Sequence, residues 1–455
     1  MGNRELLRHA VLNVRSWLEA AVALLIAVMW VMQEILIFLP SETLIGISLI
    51  FLCAYSICAF SMASTSVRLA TAMAGFLTMV LVWRNGHLSA VVQGAHAGVV
   101  FIAFLASMQL LKVCIEASAN PDHAQLMSRA SLTEQSQSML LRSWLLASIF
   151  AAGTLTLVAA NVSAKHEEEN RPLAQAALHG VALALLWSPF FVAMAVCTRL
   201  SPKVSLLAAV CNGLAMAFIG LCIAMVLYRS RLRIGQLRKL SGVFAATAGM
   251  AVLILSMNGL WDISNTEAIV VSVPLIAMVV AAKSIRLGRS VVLSLLKKWM
   301  NSLRILAAET LIVVASLILG EVIKELLGAG LVSIPEEIKT LPALVLIAWP
   351  ALLMGILAIA GFHPIIGASL LFPLQASMSG LAPVVAAGSV MTGWMVSILV
   401  STFAVPVLFA ASLFKVTPRR LVTGHTRHFL LFVVPSLWIY LWLLNLVFLE
   451  AALLP

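Results

Sequence analysis

The chain has 455 residues, of which 62% are hydrophobic and 10% charged, with a formal net charge of +11. A soluble domain is about half apolar and about a quarter charged, so no soluble fold could hide this much apolar surface. The surplus Lys and Arg fall in short segments between apolar runs, as the positive-inside rule places them. No module interleaves basic and aromatic residues, which excludes a nucleic-acid-binding protein.

Six long apolar stretches stand out: Ala20 to Pro40, Thr43 to Ala63, Val91 to Leu111, Ser205 to Tyr228, Pro383 to Phe414 and Phe429 to Leu449. Each approaches the roughly 20 residues that a helix needs to cross hydrocarbon. None alternates as the strands of a membrane barrel do. At the N-terminus, Arg4, Arg8 and Arg15 precede the first stretch. A short amphipathic helix is expected there, with Leu6, Leu7, Ala10, Val11 and Val14 toward lipid, followed by a retained first span. Further spans follow, one ending near Trp83 and one near Leu111. Lys112 to Arg142 reads as a cytoplasmic loop with one short amphipathic helix. A span over Ser143 to Ala164 should lead to an acidic outer loop, Lys165 to Arg171.

The next basic segment, Arg229 to Lys239, belongs on the inner side. Two ordinary crossings between it and the acidic loop would put it outside. The stretch Leu173 to Thr198 holds Trp187-Ser188-Pro189 at its middle, and proline removes a helical hydrogen bond. Freed backbone at membrane depth must be buried in protein or line a cavity. Two half-helices meeting near Ser188 and Pro189 are therefore expected. Spans over Leu240 to Leu260 and Ala268 to Ala282 come next, then a basic amphipathic segment, Lys283 to Arg304. A span from Ile305 to Gly320 and a polar outer segment, Glu321 to Thr340, follow. A second broken region contains Trp349-Pro350 and Gly361-Phe362-His363-Pro364. It leads into Pro383 to Phe414, interrupted at Gly393 and Pro406, and then a basic loop, Lys415 to Arg427.

The expected fold is an all-α polytopic membrane protein of about 10–12 transmembrane helices with two broken or re-entrant hairpin segments. The two breaks sit in matching order in two stretches. Leu141-Arg142-Ser143-Trp144 precedes Ser188-Pro189-Phe190, and Leu303-Arg304-Ile305-Leu306 precedes His363-Pro364-Ile365. Each break is followed by a span rich in small residues and then a basic loop. An internal repeat is the reading, with segments 1–142 (N-terminal helices), 143–240 (first half), 241–302 (connecting helices) and 303–455 (second half). Paired breaks in two halves point to the binding site of a secondary transporter, where half-helix N-termini favour an anion.

Leu186-Trp187-Ser188-Pro189-Phe190 and Gly361-Phe362-His363-Pro364-Ile365-Ile366-Gly367, each followed by a small-residue span, resemble the ion transporter superfamily. That group includes divalent-anion, citrate and arsenite carriers and dicarboxylate transporters. The resemblance covers about Ser143 to Phe414 and implies coupling to Na⁺ or H⁺. Divalent-anion carriers place Ser-Asn-Thr at their hairpin tips, whereas Ser264-Asn265-Thr266 falls in an outer turn here. Family repeats are inverted, whereas counting basic loops gives these halves the same orientation.

Candidate substrate contacts are Ser188, Pro189, His363 and Pro364 at the breaks, and Asn212, Ser389 and Thr392 on the spans that follow. Each also has a packing reading, since such polar groups cap freed backbone or bind helices together. Glu34, Glu309 and His363 are candidates for a coupling ion or proton, because carboxylates in hydrocarbon are costly. Glu309 could instead pair with Arg304. His179 reads as an interface residue near the start of its half-helix, and Gly213, Gly220, Gly388 and Gly393 as packing positions. Cys53, Cys58, Cys114, Cys197, Cys211 and Cys222 form no CxxC pair and read as small core residues rather than disulfides or metal ligands.

No metalloprotease helix, ATP-binding loop or nucleophile elbow is present, so an enzyme is not expected and no cofactor is called for. The expected function is secondary transport of a small anionic solute by alternating access, in a cell inner membrane with the N-terminus cytoplasmic. Expected partners are the solute, a coupling ion, the lipid bilayer, and a second copy of the chain or an accessory subunit. The alternative is a non-transporting scaffold subunit of a secretion or envelope-assembly complex, whose breaks would be dry kinks.

Overall fold

The computed structural model describes residues 3–118, 132–159, 166–228, 249–284 and 289–451, apart from positions 251, 255, 262 and 379. Among the described residues the regular structure is helical, without strands. Among the described residues, eight helices are long and apolar enough to cross a bilayer, and a bent pair and shorter apolar helices add to them. The protein is a multi-pass α-helical membrane protein, as its composition requires.

The helices form two compact units. The first contains α1 (Asn3–Phe38), α2 (Glu42–Met62), α3 (Thr65–Asn85), α4 (Leu88–Ser118), α10 (Asn265–Ser284), α11 (Arg289–Ile305) and most of α12 (Ala307–Gly328). The second contains α5 (Leu132–Phe150), α6 (Thr154–Ala159), α7 (Glu167–Leu185), α8 (Val192–Leu200) and α9 (Leu206–Leu227). It also holds α13 (Glu336–Lys339), α14 (Ala343–Ile359), α15 (Pro364–Ala376), α16 (Pro383–Val400), α17 (Val405–Phe414), α18 (Pro418–Leu421) and α19 (His425–Ala451).

Several expectations need correction. The N-terminal amphipathic stretch is not a separate element but the beginning of α1. Before Arg142 no separate short helix is described: α5 starts at Leu132, runs on to Phe150 and buries Ser136 and Gln137. The span expected over Ser143 to Ala164 stops at Phe150, where a 3₁₀ turn, Ala151–Gly153, separates α5 from α6. The acidic residues Glu167, Glu168 and Glu169 form the first turn of α7, where negative charge complements the helix dipole. The span expected to end at Gly320 continues to Gly328 and buries Glu321, paired with Lys324 one turn on. Pro350 lies inside α14 without breaking it. Helix α16 passes through Gly393 and stops at Val400. Cys53, Cys211 and Cys222 are exposed on their helices, and only Cys114 and Cys197 are buried. The basic segment Arg229 to Lys239 and most of the span expected after it lie outside the described residues.

Ser264-Asn265-Thr266 begins α10. The Ser264 hydroxyl accepts from the Glu267 N–H at 3.3 Å, and the Glu267 carboxylate accepts from the Ser264 N–H at 2.9 Å. This reciprocal capping box satisfies two donors at the helix start and accounts for the tripeptide locally.

Proline inside a helix lacks an N–H and leaves the carbonyl four residues earlier without its donor. In hydrocarbon that carbonyl needs a replacement. Pro274 in α10 frees the Val270 carbonyl, and the Ser107 hydroxyl on α4 donates to it at 3.2 Å. Ser107 in turn accepts from the Trp30 indole on α1 at 2.9 Å. Pro350 in α14 frees the Leu346 carbonyl, and the Gln375 amide on α15 donates to it at 2.6 Å. Each proline is thus mended by a side chain from a neighbouring helix.

Gln375→Leu removes the donor and leaves the Leu346 carbonyl unmet. It should destabilise the protein by about 1–3 kcal/mol, read as a lower thermal-unfolding midpoint in detergent. Ile356→Ala, on the exposed side of the same helix, should shift stability by no more than about 0.5 kcal/mol.

Candidate functional site

Three interruptions of helical backbone in the second unit lie beside α7. The first separates α7 from α8 over residues 186–191. The residue before a proline is driven away from helical dihedrals, and Pro189 supplies no N–H, so the helix ends where the sequence implies. Ser188 is fully buried. Its hydroxyl donates to the Ser148 carbonyl on α5 at 2.5 Å and accepts from the Phe190 N–H at 3.2 Å. The second interruption is the 3₁₀ turn Ala151–Gly153, which begins three residues beyond Ser148 of α5. Ala151 there has φ +47°, the left-handed region that a non-glycine residue seldom occupies. The third, at Ser401–Ala404, separates α16 from α17, and the Ser401 hydroxyl accepts from the Phe403 N–H at 3.2 Å.

These interruptions share one neighbourhood. Helix α7 packs against α5, the 3₁₀ turn, α6, α9, α16 and α17, and α17 packs against α6, α7 and the same turn. The Asn170 amide fixes one end by donating to the Phe414 carbonyl at 3.0 Å. Helix α9 closes over the α7–α8 break at Gly213. A Cβ there would lie 1.9 Å from the Leu186 carbonyl oxygen and 2.9 Å from the Trp187 Cα. The glycine is required by that approach.

Along α5, α6 and the break lie buried polar groups with no hydrogen-bond partner among the described residues: the indole N–H of Trp144 on α5 and of Trp187 in the break, and the hydroxyls of Ser143 on α5 and Thr154 on α6. The two indole rings are neighbours, with centroids 5.8 Å apart at 52°. Trp144 is 8% exposed and Trp187 6%, so neither reaches solvent to satisfy its donor. Phe191, which precedes α8, offers no side-chain cap to that helix's leading N–H groups. An indole can only donate, so the local chemistry suits a group rich in acceptor oxygens.

The residues singled out in the sequence are placed as follows. Ser188 and Pro189 are buried at the first break. His363 is half-buried at the turn between α14 and α15, where its Nδ1 accepts from the Ile365 N–H at 3.3 Å, and Pro364 opens α15. Asn212 donates to the Val384 carbonyl at 3.2 Å and accepts from the Tyr440 hydroxyl at 3.1 Å. Ser389 donates to the Ala386 carbonyl at 2.8 Å and accepts from Gln375 at 3.2 Å. Thr392 donates to the Gly388 carbonyl at 2.9 Å. Asn212, bonded to α16, and Ser389 on α16, bonded to Gln375, serve interhelical bonding. No described hydrogen bond joins Ser188 to His363.

In the first unit, Glu34 lies within α1 with one buried carboxylate oxygen lacking a partner. Glu309 stands in the first turn of α12, half-buried and without an ion-pair partner among the described residues. His179 falls in the middle of α7 because that helix begins earlier than the apolar run. It is buried, bonded to the Thr426 hydroxyl at 3.1 Å and the Tyr228 hydroxyl at 3.0 Å, and stacked on Phe429 at 4.2 Å. That makes it an interface residue.

Sequence reasoning passed over Trp144, Trp187, Thr154 and Gln375. Trp187 lies in the break itself, and a buried tryptophan without an acceptor could have been suspected there. Gln375 was findable from Pro350, whose freed carbonyl requires a donor.

No protein-family model matches the chain, and no curated protein is detectably similar to it in sequence. Among solved structures it is similar to the crystal structure of the Alcanivorax borkumensis YdaH transporter, which is reported to reveal an unusual topology. The identity is 14% and the TM-score 0.44, over 77% of this chain and 84% of that one.

Gly213→Ala should destabilise the protein by about 1–3 kcal/mol or more through overpacking at the break, measured by thermal unfolding. Gly46→Ala, where an added Cβ meets nothing within 4 Å, should be neutral or stabilising by up to about 1 kcal/mol.

Proposed function

We propose that the chain is a secondary active transporter that binds a small anionic solute at the α7–α8 interruption. The observation that carries this reading is the pair of neighbouring, buried, unpartnered indole donors of Trp144 and Trp187. Each unmet buried polar group costs about 1–3 kcal/mol, and native proteins hold few of them without a water, ion or ligand to explain them. Hydroxyl and indole donors around uncapped helical N–H groups favour an anion without any basic side chain.

Helix lengths support membrane-depth breaks. The 9 residues of α8 and the 13 of α15 span about 14 and 20 Å at 1.5 Å per residue, short of the roughly 30 Å hydrocarbon core. In this reading α7–α8 and α14–α15 are re-entrant pairs, and access alternates as they move against the surrounding spans. Coupling to Na⁺ or H⁺ is what the resemblance to the ion transporter superfamily implies, and Glu34, Glu309 and His363 are the candidates proposed for it. The chain acts as a carrier rather than an enzyme, in a prokaryotic inner membrane with its N-terminus cytoplasmic.

The test uses a variant without the six native cysteines, carrying Trp187→Cys or Thr154→Cys. Intact vesicles of both orientations are treated with a small membrane-impermeant thiol reagent. Both positions should label, and the reactive side should change under an imposed Na⁺ or pH gradient. Failure of both to label from either side, under every gradient, would exclude a water-reachable site and leave the scaffold reading. Trp187→Phe keeps the ring and removes the donor. It should weaken binding of a solute found by uptake screening about tenfold, the worth of one hydrogen bond to a charged group.

A further inference from the structure

We propose that α11 holds the phosphate headgroup of an anionic phospholipid. This site lies in the first unit, and its argument does not draw on the transport reading.

Helix α11 is sorted by face. Leu295, Trp299 and Leu303, spaced four apart, are buried. They are anchored by the Trp299 indole, which donates to the Ala106 carbonyl of α4 at 2.9 Å and meets Trp30 edge to face at 5.2 Å. The adjacent row, Ser290, Ser294 and Lys298, has the same spacing. With Val291, Leu295 and Ala117 of α4 it lines an open cavity of about 260 Å³. That volume accommodates a headgroup rather than a whole lipid. Two hydroxyls and an ammonium converge on it, the donor set that a phosphate oxygen accepts from.

No ion pair occupies Lys298 among the described residues. The acid beside Ala117 in the sequence, Glu116, is paired with Lys112 at 3.9 Å. The source of the phosphate follows from the rest of the helix. Leu293, Leu296 and Ile305 are exposed at 58%, 45% and 80%. Such apolar side chains beside a polar row that ends in Lys298 are the arrangement of a helix lying in the headgroup layer, and they suit acyl chains rather than a free ion.

The experiment uses the full chain in detergent, with bound lipid counted by native mass spectrometry. The probes are phosphatidylglycerol, phosphatidylcholine and inorganic phosphate. Wild-type protein should retain phosphatidylglycerol in preference to phosphatidylcholine and should not lose it to millimolar inorganic phosphate. Lys298→Gln should weaken retention roughly fivefold, equivalent to the ~1 kcal/mol contributed by one basic residue at an anionic surface. Lys298→Arg should restore it, and Lys297→Gln, one residue away and outside the cavity lining, should leave it unchanged. The double variant Ser290→Ala, Ser294→Ala keeps all charges and should also weaken retention, which tests the site even if Lys298→Gln fails to fold. Equal losses in Lys297→Gln and Lys298→Gln would reduce the effect to diffuse surface charge and overturn the proposal. Displacement of the lipid by inorganic phosphate would overturn it in favour of a free-anion site.

Discussion

In hydrocarbon no water is available to a freed N–H or C=O, so every departure from continuous helix must be met by another part of the protein. The packing of this chain is organised around that constraint. Two interior prolines, Pro274 and Pro350, do not simply kink helices. They create acceptors met by a side chain that stands opposite, Ser107 for the Val270 carbonyl and Gln375 for the Leu346 carbonyl. A single deleted N–H therefore specifies a helix pair, because the donor has to arrive from a neighbour.

The same constraint explains the turns. Ser188, His363 and Ser401 each accept, through the side chain, the N–H two residues on. A polar side chain at the point of interruption folds back on its own backbone and closes the local account. The breaks are then sealed by helices that come very close. Gly213 passes the Leu186 carbonyl, and in the first unit Gly94 and Gly98 of α4 lie against Ile318 and Val314 of α12. Small residues four apart let helix backbones approach where lipid supplies no hydrophobic drive between helices.

Much of this was legible in the sequence. Apolar runs located most of the long helices, and Trp187-Ser188-Pro189 and Gly361-Phe362-His363-Pro364 located two of the non-helical segments. These signals are local: length, proline and the residue before it. What hydropathy missed were polar stretches that fold as helix because they pack against protein instead of lipid. The start of α5 and the first turn of α7 are of this kind. The interruption at Ser401 was also displaced, since Pro406 is tolerated in the first turn of α17 and Gly393 serves close approach to Pro350. The candidate site was legible as a region and not as a set of atoms. Ser188, Asn212 and Ser389 are polar and near the breaks, but hydrogen-bond partners from other helices claim them, as its own helix claims Thr392, and no sequence pattern displays the partners from other helices.

This division between claimed and unclaimed groups bears on ligand chemistry. Elsewhere in the second unit, unmatched buried atoms are of both kinds, the indole N–H groups of Trp349 and Trp438 and the acceptor oxygens of Gln175 and Gln375, whose own amide groups donate to carbonyls. Along α5, α6 and the α7–α8 break, the unmatched atoms are two indole N–H groups and two hydroxyls, all able to donate. A dry kink selected for packing would be expected to bring an acceptor to such donors, as Ser148 does for Ser188. Water could satisfy each donor singly, but it adds donors of its own to a site already rich in them. An oxyanion adds only acceptors, and in a medium of low dielectric its attraction to fixed N–H and O–H dipoles is strengthened. The local surplus of donors therefore favours a solute whose polar face is a carboxylate or similar oxyanion over a neutral one.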